Sequence, residues 1–241
     1  MNHLKRDIVL REREFRLIVI GDVHVGDGLS DLKLFEKTIR YVKNTPNCYC
    51  ILNGDLMNNA LKNSKSDIYA ATMTIEEQQE YLIKTLMPIR DRILVISTGN
   101  HERRTMRDVG INPLKYIAKS LKVPDLLVEN AFIIDISVLN ERTKNRENGY
   151  VIHGIHGGHG GGRRMGTTAN ALEDMSRVIA NADLYVHSHT HSPIYYTDNI
   201  LIYYTQLGGF SEKLRTFVNG NAFLKYGGYA EEKGYKLVDR T

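Results

Sequence analysis

The chain has 241 residues, which is long enough to bury one full-sized core, and its 42% hydrophobic and 25% charged residues are usual for a globular protein. No apolar run approaches the roughly 18 to 20 residues that a membrane helix requires, and the N-terminal stretch lacks the apolar segment of a secretory signal. We therefore predict one cytoplasmic domain over residues 1–241 without a membrane partner. A net charge of +4 allows binding to phosphate or nucleic acid without requiring it.

In the first half of the chain, short β-branched runs alternate with helical patterns. Strands are predicted at residues 15–20, 49–52 and 93–96, and helices at residues 32–42, 74–86 and 113–121. Ser30 or Asp31 caps the first helix, Thr74 and Glu77 form a capping box at the second, and Pro88 marks the end of the second. The first two strands and the helix between them predict a βαβ unit.

The second half of the chain is rich in strands. They are predicted at residues 132–139, 150–156, 183–187 and 200–204. One helix, over residues 168–179, interrupts them, because Leu172, Met175 and Ile179 form an apolar stripe at helical spacing. The polar run at residues 141–148 is predicted to be an exposed connection between two strands.

Eight of the nine histidines fall in four short windows, and each window lies at the end of a predicted strand. The windows are GDVH, GNHE, HGIHGGH and HSHTH. Ligand sites in α/β proteins form where the loops at the carboxyl ends of strands converge, so we expect these windows and the NGD turn to share one rim. Aspartate, asparagine and histidine suit divalent manganese, iron or zinc. The predicted metal ligands are Asp22, His24, Asp55, Asn100, His156, His189 and His191.

The charges of these ligands predict what the metals would attract. Two divalent ions carry four positive charges, whereas only Asp22 and Asp55 among the predicted ligands are anionic. The centre would therefore stay positive even with a bridging hydroxide, and phosphate oxygens are its natural occupants. Two metals roughly 3.5 to 4 Å apart lower the pKa of water and clamp both oxygens of an in-line displacement at phosphorus. The pattern thus predicts hydrolysis of phosphoester bonds.

The ordered motifs D-x-H, GD, GNHE, H and H-x-H resemble those of the calcineurin-like metallophosphoesterase superfamily, and GNHERR with HGGHGGGRR resembles its bacteriophage-type members. The resemblance implies an α/β fold in which a four-layer β-sandwich is flanked by helices. It also implies two metal ions, with manganese the first choice and iron or zinc the alternatives. One ion would bind Asp22, His24, Asp55 and His191, and the other would bind Asp55, Asn100, His156 and His189. His101 would donate a proton to the leaving oxygen or stabilise the phosphoryl group.

Two of the motifs depart from the pattern or leave a choice. His153, His156 and His159 could each provide the histidine of the fourth motif, and His156 is preferred because it ends a predicted strand and precedes two glycines. The family usually has glycine before the last H-x-H, whereas this chain has Ser188.

Basic residues beside the motifs bear on the substrate. Arg103, Arg104 and Arg163 are predicted to bind substrate phosphates, and the alternative is that they are solvated surface side chains. These arginines and a pI near 8.9 favour a phosphodiesterase or nuclease, so that the partner is a phosphoester with nucleic acid among the candidates. The alternatives are a small-molecule phosphatase acting on a nucleotide and a non-catalytic binding module. The intact ligand set with His101 argues against the last.

Tyrosines are concentrated after the last histidine window, and the oligomeric state is left open. Packing between strands, contact with substrate and contact with a second subunit all fit this pattern, which comprises Tyr195, Tyr196, Tyr203, Tyr204, Tyr226 and Tyr229.

Overall fold

The computed structural model describes residues 1–10, 14–62, 64, 68–141, 143–158, 165–206, 208–227 and 231. Over these residues the strands are β1 (Asn2–Leu10), β2 (Arg16–Ile20), β3 (Cys48–Asn53), β4 (Ile93–Ser97), β5 (Leu127–Val128), β6 (Phe132–Asn140), β7 (Arg146–Gly154), β8 (Leu184–His187), β9 (Ile194–Tyr204) and β10 (Gly209–Asn219). The helices are α1 (Leu32–Asn44), α2 (Ile75–Leu86), α3 (Asn100–Val109), α4 (Leu114–Ser120) and α5 (Met165–Val178), with short 3₁₀ turns at Met87–Arg92 and Pro124–Leu126.

Two sheets pack face to face. One is parallel with the order β2-β3-β4-β5, and the other is mixed with the order β1-β6-β7-β8-β10-β9. Ile51 and Val95 of the smaller sheet pack against Ile134, Ile136 and Ile152 of the larger one, and all five are buried. Apolar contact between two inner faces is the core of a β-sandwich.

Helices cover both outer faces of this sandwich. Phe35 of α1 and Leu82 of α2 belong to a second apolar cluster with Leu52 of the smaller sheet, and α4 adds to the same cluster. Leu172 of α5 packs in a third cluster with Phe217 of the larger sheet. The order of layers is therefore helix, sheet, sheet, helix, which confirms the predicted four-layer sandwich flanked by helices.

The helix caps and the βαβ unit predicted for the first half of the chain are present in the structure. The side chain of Asp31 accepts the N–H of Leu34 at the start of α1, and β2, α1 and β3 form a parallel βαβ unit. Thr74 and Glu77 complete the capping box of α2, which ends at Leu86 immediately before the turn that contains Pro88. These signals depend on neighbouring residues alone, which explains why the sequence reveals them.

The second half differs from prediction at strand ends. The predicted strand at residues 150–156 is wrong in its bounds, since β7 begins at Arg146 and ends at Gly154. It ends there because Gly154 pairs with Phe132, the first residue of β6, and a Cβ on Gly154 would lie 2.1 Å from the Phe132 ring. β9 likewise begins before residue 200, at Ile194.

Four elements have no counterpart in the sequence prediction: β1, β5, β10 and α3. Charged residues obscure the strand pattern of β1, although all nine of its residues pair in parallel with β6. Among the described residues, no helix has the length and apolar character required to cross a membrane.

Candidate metal centre

Loops at the carboxyl ends of β2, β3, β4, β7 and β8 reach one rim of the sandwich. They bring together the side chains of Asp22, His24, Asp55, Asn100, His101, His156, His189 and His191. Parallel strands place their carboxyl ends at the same edge, and Asn53 joins the two sheets there by donating to the carbonyl of Ile155 and to Ser188 Oγ at 3.1 and 2.9 Å. The convergence expected from the sequence is present.

One cluster combines Asp22, His24 and His191. Their candidate ligand atoms all lie within 4.8 Å of one another. His191 Nε2 is 3.2 Å from Asp22 Oδ1 and 3.4 Å from His24 Nε2. Two imidazole nitrogens that face each other and a carboxylate are a suitable donor set for a divalent ion.

A second cluster combines Asp55, His156 and His189, again within 4.8 Å. His156 Nε2 lies 3.2 Å from Asp55 Oδ2 and 3.1 Å from Asn100 Oδ1, so the asparagine belongs to this side of the centre. Asp55 also falls within 4.8 Å of His24 and His101. The Asp55 carboxylate therefore stands between the two clusters, where each oxygen could serve a different ion.

The backbone is left-handed at five of these side chains. Asp22, His24, Asp55, His189 and His191 have φ between 48° and 70°. Such values are uncommon outside glycine and are found at sites where the surrounding structure imposes them. This conformation turns side chains that are two positions apart, such as Asp22 and His24 or His189 and His191, toward one centre.

Glu102 holds the loops of the centre in place through hydrogen bonds to the backbone. Its role was missed in the sequence, because no function was assigned to the glutamate of the GNHE window. It is fully buried, and its two oxygens accept the N–H groups of Gly99, Asp55 and Met57 at 2.8 to 3.0 Å. Burial and the charge of Asp55 raise the pKa of Glu102 to about 7. The three N–H donors tie the loop after β3 to the start of α3 and so fix Asp55 beside Asn100.

Asn219, at the end of β10, holds the loop that carries His189 and His191. Its Nδ2 donates to Thr190 Oγ1 at 3.0 Å and to the carbonyl of Ser192 at 2.8 Å, and its Oδ1 lies 2.8 Å from His187 Nδ1. Thr190 lies between the two histidines. Asn219 was missed in the sequence because β10, the strand that ends at this residue, was not predicted. A predicted β10 would have placed Asn219 at a strand end, where site residues are expected.

The serine before the last H-x-H has a structural explanation. Ser188 is fully buried, and its hydroxyl accepts a hydrogen bond from Asn53. A Cβ on Gly21 would lie 2.7 Å from Ser188 Oγ. The absence of a side chain at Gly21 thus leaves the space that the extra hydroxyl group occupies.

Of the three candidates for the fourth motif, the structure brings His156 to the centre. Its Nε2 faces Asp55 and Asn100, and its Nδ1 lies 2.7 Å from the carbonyl of Asn53, a partner that orients the ring. His153 lies within β7, with its Nδ1 3.1 Å from the carbonyl of Phe132. His159 lies outside the described residues.

His101 lies beside the centre in a defined orientation. Its Nδ1 is 2.7 Å from the carbonyl of Asn58, and Arg104 donates to its Nε2 at 2.9 Å. Because a guanidinium can only donate and a carbonyl can only accept, the ring is neutral with its proton on Nδ1. Burial, opposed by Asp55 and assisted by Arg104, lowers the pKa of His101.

The three predicted phosphate-binding arginines have different positions. Arg104 contacts His101 and therefore borders the centre. The guanidinium of Arg103 instead donates to the carbonyl of Glu129 at 2.8 Å, and no contact joins it to the histidines in the described part of the chain. Arg163 lies outside the described residues.

Burial and neighbouring carboxylates shift the pKa values of four histidines in the centre in opposite directions. Although burial disfavours a charged imidazole, Asp55 raises the pKa of His156 to about 10, and Asp22 raises the pKa of His191. Burial lowers the pKa of His24, and burial with the charge of His156 lowers that of His189 to about 4. The nearby carboxylates therefore favour the protonated form of His156 and His191, whereas burial favours the neutral form of His24 and His189.

A four-layer sandwich with aspartate, asparagine and histidine side chains gathered at the carboxyl ends of its strands defines a class of metal-dependent hydrolases. Comparison with protein families identifies the particular one: the calcineurin-like phosphoesterase family matches residues 15–193, and the chain belongs to it. A comparison with curated proteins gave no significant match. The protein is a metal-dependent hydrolase, and the His and Asp groups described above could hold the two divalent ions typical of the family.

Proposed function

We propose that the protein hydrolyses phosphodiester bonds, in nucleic acid or a related substrate, with two manganese ions, for which iron or zinc could substitute. The observation that carries this proposal is the position of Asp55 between two separate groups of imidazole nitrogens. The side chain of His191 is 32% exposed, so the centre opens to solvent and could receive a long substrate. Arg104 adds a cation at its border.

The proposed ligand sets follow the two clusters. Asp22, His24, Asp55 and His191 would hold one ion. The other would be held by Asp55, Asn100, His156 and His189. When bound, the two ions would supply positive charge to phosphate oxygens and lower the pKa of water.

His101 and Arg104 supply the remaining chemistry. Since His101 Nε2 accepts a hydrogen bond from Arg104, it holds no proton in this arrangement. We infer that Arg104 turns to a phosphate oxygen of the substrate, which frees Nε2 to take up a proton from solvent and pass it to the leaving oxygen, while the proton on Nδ1 stays hydrogen-bonded to the Asn58 carbonyl. The carbonyl of Asn58 keeps the ring oriented during this exchange.

Three further proposals concern domain organisation, subfamily and cellular location. One domain over residues 1–241 agrees with the pairing of β1 with β6 and of β10 with β8, which joins early and late strands in one sheet. The motifs GNHERR and HGGHGGGRR support membership of the bacteriophage-type group. The cytoplasmic location stays a prediction from the sequence.

A substrate panel tests the proposed activity. With manganese added, bis-p-nitrophenyl phosphate and single- or double-stranded DNA are expected to be cleaved faster than p-nitrophenyl phosphate, and a chelator should abolish all cleavage. Preference for the monoester or for a nucleotide would favour the small-molecule phosphatase. Metal-loaded protein that cleaves none of these substrates would favour the binding module.

Variants of the three histidines test the assignment of the fourth motif. His156→Ala is expected to weaken binding at one metal by at least about 100-fold, more than a supporting residue contributes. His153→Ala should keep both metals and lose about 1–3 kcal/mol of stability, because the carbonyl of Phe132 loses its partner. His159→Ala is the third variant and tests the remaining candidate for the fourth motif. The metal content of each variant after dialysis shows which histidine is the ligand. Loss of metal from His153→Ala but not from His156→Ala would reverse the assignment.

Metal binding should release protons. The pKa of His156 is raised to about 10 and that of His191 is also raised, and a metal binds only the neutral ring, so metal affinity should rise with pH up to about pH 10. Calorimetric titration with manganese in two buffers of different ionisation enthalpy measures the protons released. Equal heats in both buffers would contradict the raised pKa values of His156 and His191.

A further inference from the structure

Strand β9 forms one edge of the larger sheet. Within the described residues it pairs only with β10, so one hydrogen-bonding side of its eleven residues faces away from the sheet. Proteins usually protect such edges with charges, proline or a bulge. The opposite edge, β1, has Lys5, Arg6 and Asp7 at its centre. β9 has a single charge, Asp198, and its register with β10 is continuous.

β9 and β10 also extend beyond the sheet. β10 pairs with β8 only over residues 216–219, whereas it pairs with β9 over all eleven residues. Residues 198–204 and 209–215 therefore form a two-stranded arm. Two strands alone are marginally stable in water, so an arm of this length benefits from a third strand beside it.

The outer face of the hairpin is apolar and exposed. Odd-numbered residues of β9 and their partners on β10 share this face, and the exposed fractions are 72% for Tyr195, 67% for Leu201, 55% for Tyr203, 72% for Phe210 and 57% for Leu214. A contiguous exposed apolar surface is typical of a contact with another macromolecule.

The chemistry of the arm favours a strand as its partner over nucleic acid. Its two cations are both engaged, Lys213 with Asp183 at 2.8 Å and Arg215 with Asp198. Glu212 adds a negative charge to the exposed face. Phosphate groups would find no unpaired cation on this arm, whereas the backbone groups along the β9 edge can pair with an extended chain.

We propose that β9 pairs antiparallel with β9 of a second copy of the chain, so that the two larger sheets join across a two-fold axis. A register centred on Asn199 places Tyr195 opposite Tyr203 and Thr197 opposite Leu201, each twice by symmetry. Aromatic pairs opposite each other stabilise antiparallel sheets. Asp198 falls opposite Ile200, so no like charges meet. The strand is thus complementary to itself.

Sedimentation of the full chain tests the assembly. The expected mass is twice the 27.5 kDa of one chain. Leu201→Lys should sediment as a single chain, because it places two lysines in the contact without disturbing the core of either copy. Val178→Lys, a matched change on exposed α5, should stay a dimer. A single-chain mass for the parent protein, or a dimer of Leu201→Lys, would overturn the proposal.

Introduced cysteines test the register. The two natural cysteines are buried, so a new exposed thiol reacts alone. Under mild oxidation, Asn199→Cys should form a disulfide-linked dimer, since directly opposed residues lie about 4.5–5.5 Å apart at Cα, within disulfide range. Thr197→Cys, on the same face, should not, because its symmetry mate is four residues away along the paired strand. Equal cross-linking of both variants would refute this register.

These measurements do not depend on hydrolysis, so their outcome is separate from that of the proposed function. Binding of DNA provides the competing result. A chain that sediments singly and loses DNA binding on Leu201→Lys would overturn the proposal and identify the arm as a nucleic-acid contact.

Discussion

Asp55→Asn is expected to abolish metal-dependent hydrolysis and to weaken binding at both metals at once. Asp55 stands between the two ligand clusters, and a neutral amide removes the negative charge that both ions would share. The metals contribute several kcal/mol to the transition state, which corresponds to a loss of turnover of at least about 10³-fold. Calorimetry with manganese and hydrolysis of bis-p-nitrophenyl phosphate measure the two effects separately.

The metal-free Asp55→Asn protein should still fold. The amide oxygen can accept the N–H of His101, as Oδ1 of Asp55 does at 2.8 Å. His156 would lose the anion that contributes most to its raised pKa, so the pKa of the ring should fall. Asp31→Asn is the matched control, because asparagine caps a helix about as well as aspartate, and both metals and activity should remain. An Asp55→Asn protein that binds two ions with parental affinity would remove the basis of the proposed centre.

His101→Ala should reduce turnover by about 10² to 10⁴-fold while both metals stay bound. The His101 ring is in neither proposed set of four ligands, and its Nε2 is 3.8 Å from Asp55 Oδ2 and 2.9 Å from the Arg104 guanidinium. The loss should appear in kcat more than in KM, because the ring acts on the leaving oxygen rather than on substrate binding. Steady-state kinetics with bis-p-nitrophenyl phosphate and metal analysis on the same sample provide the measurement.

Arg104→Met is the informative companion of His101→Ala. It keeps the length of the side chain and removes the cation, so KM should increase if Arg104 transfers to a substrate phosphate. Turnover of His101→Ala equal to that of the parent would show that the ring has no part in the reaction.

Sequence alone predicted the parts of the fold that neighbouring residues determine. The capping box of Thr74 and Glu77 and the cap at Asp31 each involve groups three residues apart, and the structure contains both. The end of β7 at Gly154 depends instead on where β6 begins, about twenty residues earlier. A strand boundary set by a distant partner leaves no local signal.

The candidate site shows the same division. The ordered windows and the expected convergence at one rim follow from the rule that loops at strand ends meet. The contributions of Glu102 and Asn219 do not, because each acts through backbone or side-chain partners that are distant in the sequence or on an unpredicted strand. Arg103 and Arg104 are adjacent in the sequence, yet one is held by the carbonyl of Glu129 and the other by His101, a difference that requires coordinates.

The position of β1 has a consequence for biosynthesis. β1 is translated before β6, yet all nine of its residues pair with that strand, which leaves the ribosome about 130 residues later. Until β6 has been made, β1 lacks the strand with which it pairs in the described structure, and the cost of closing so long a loop delays its docking. His189 and His191 emerge later still, so a nascent chain can complete its ion-binding rim only after most of both sheets has been synthesised.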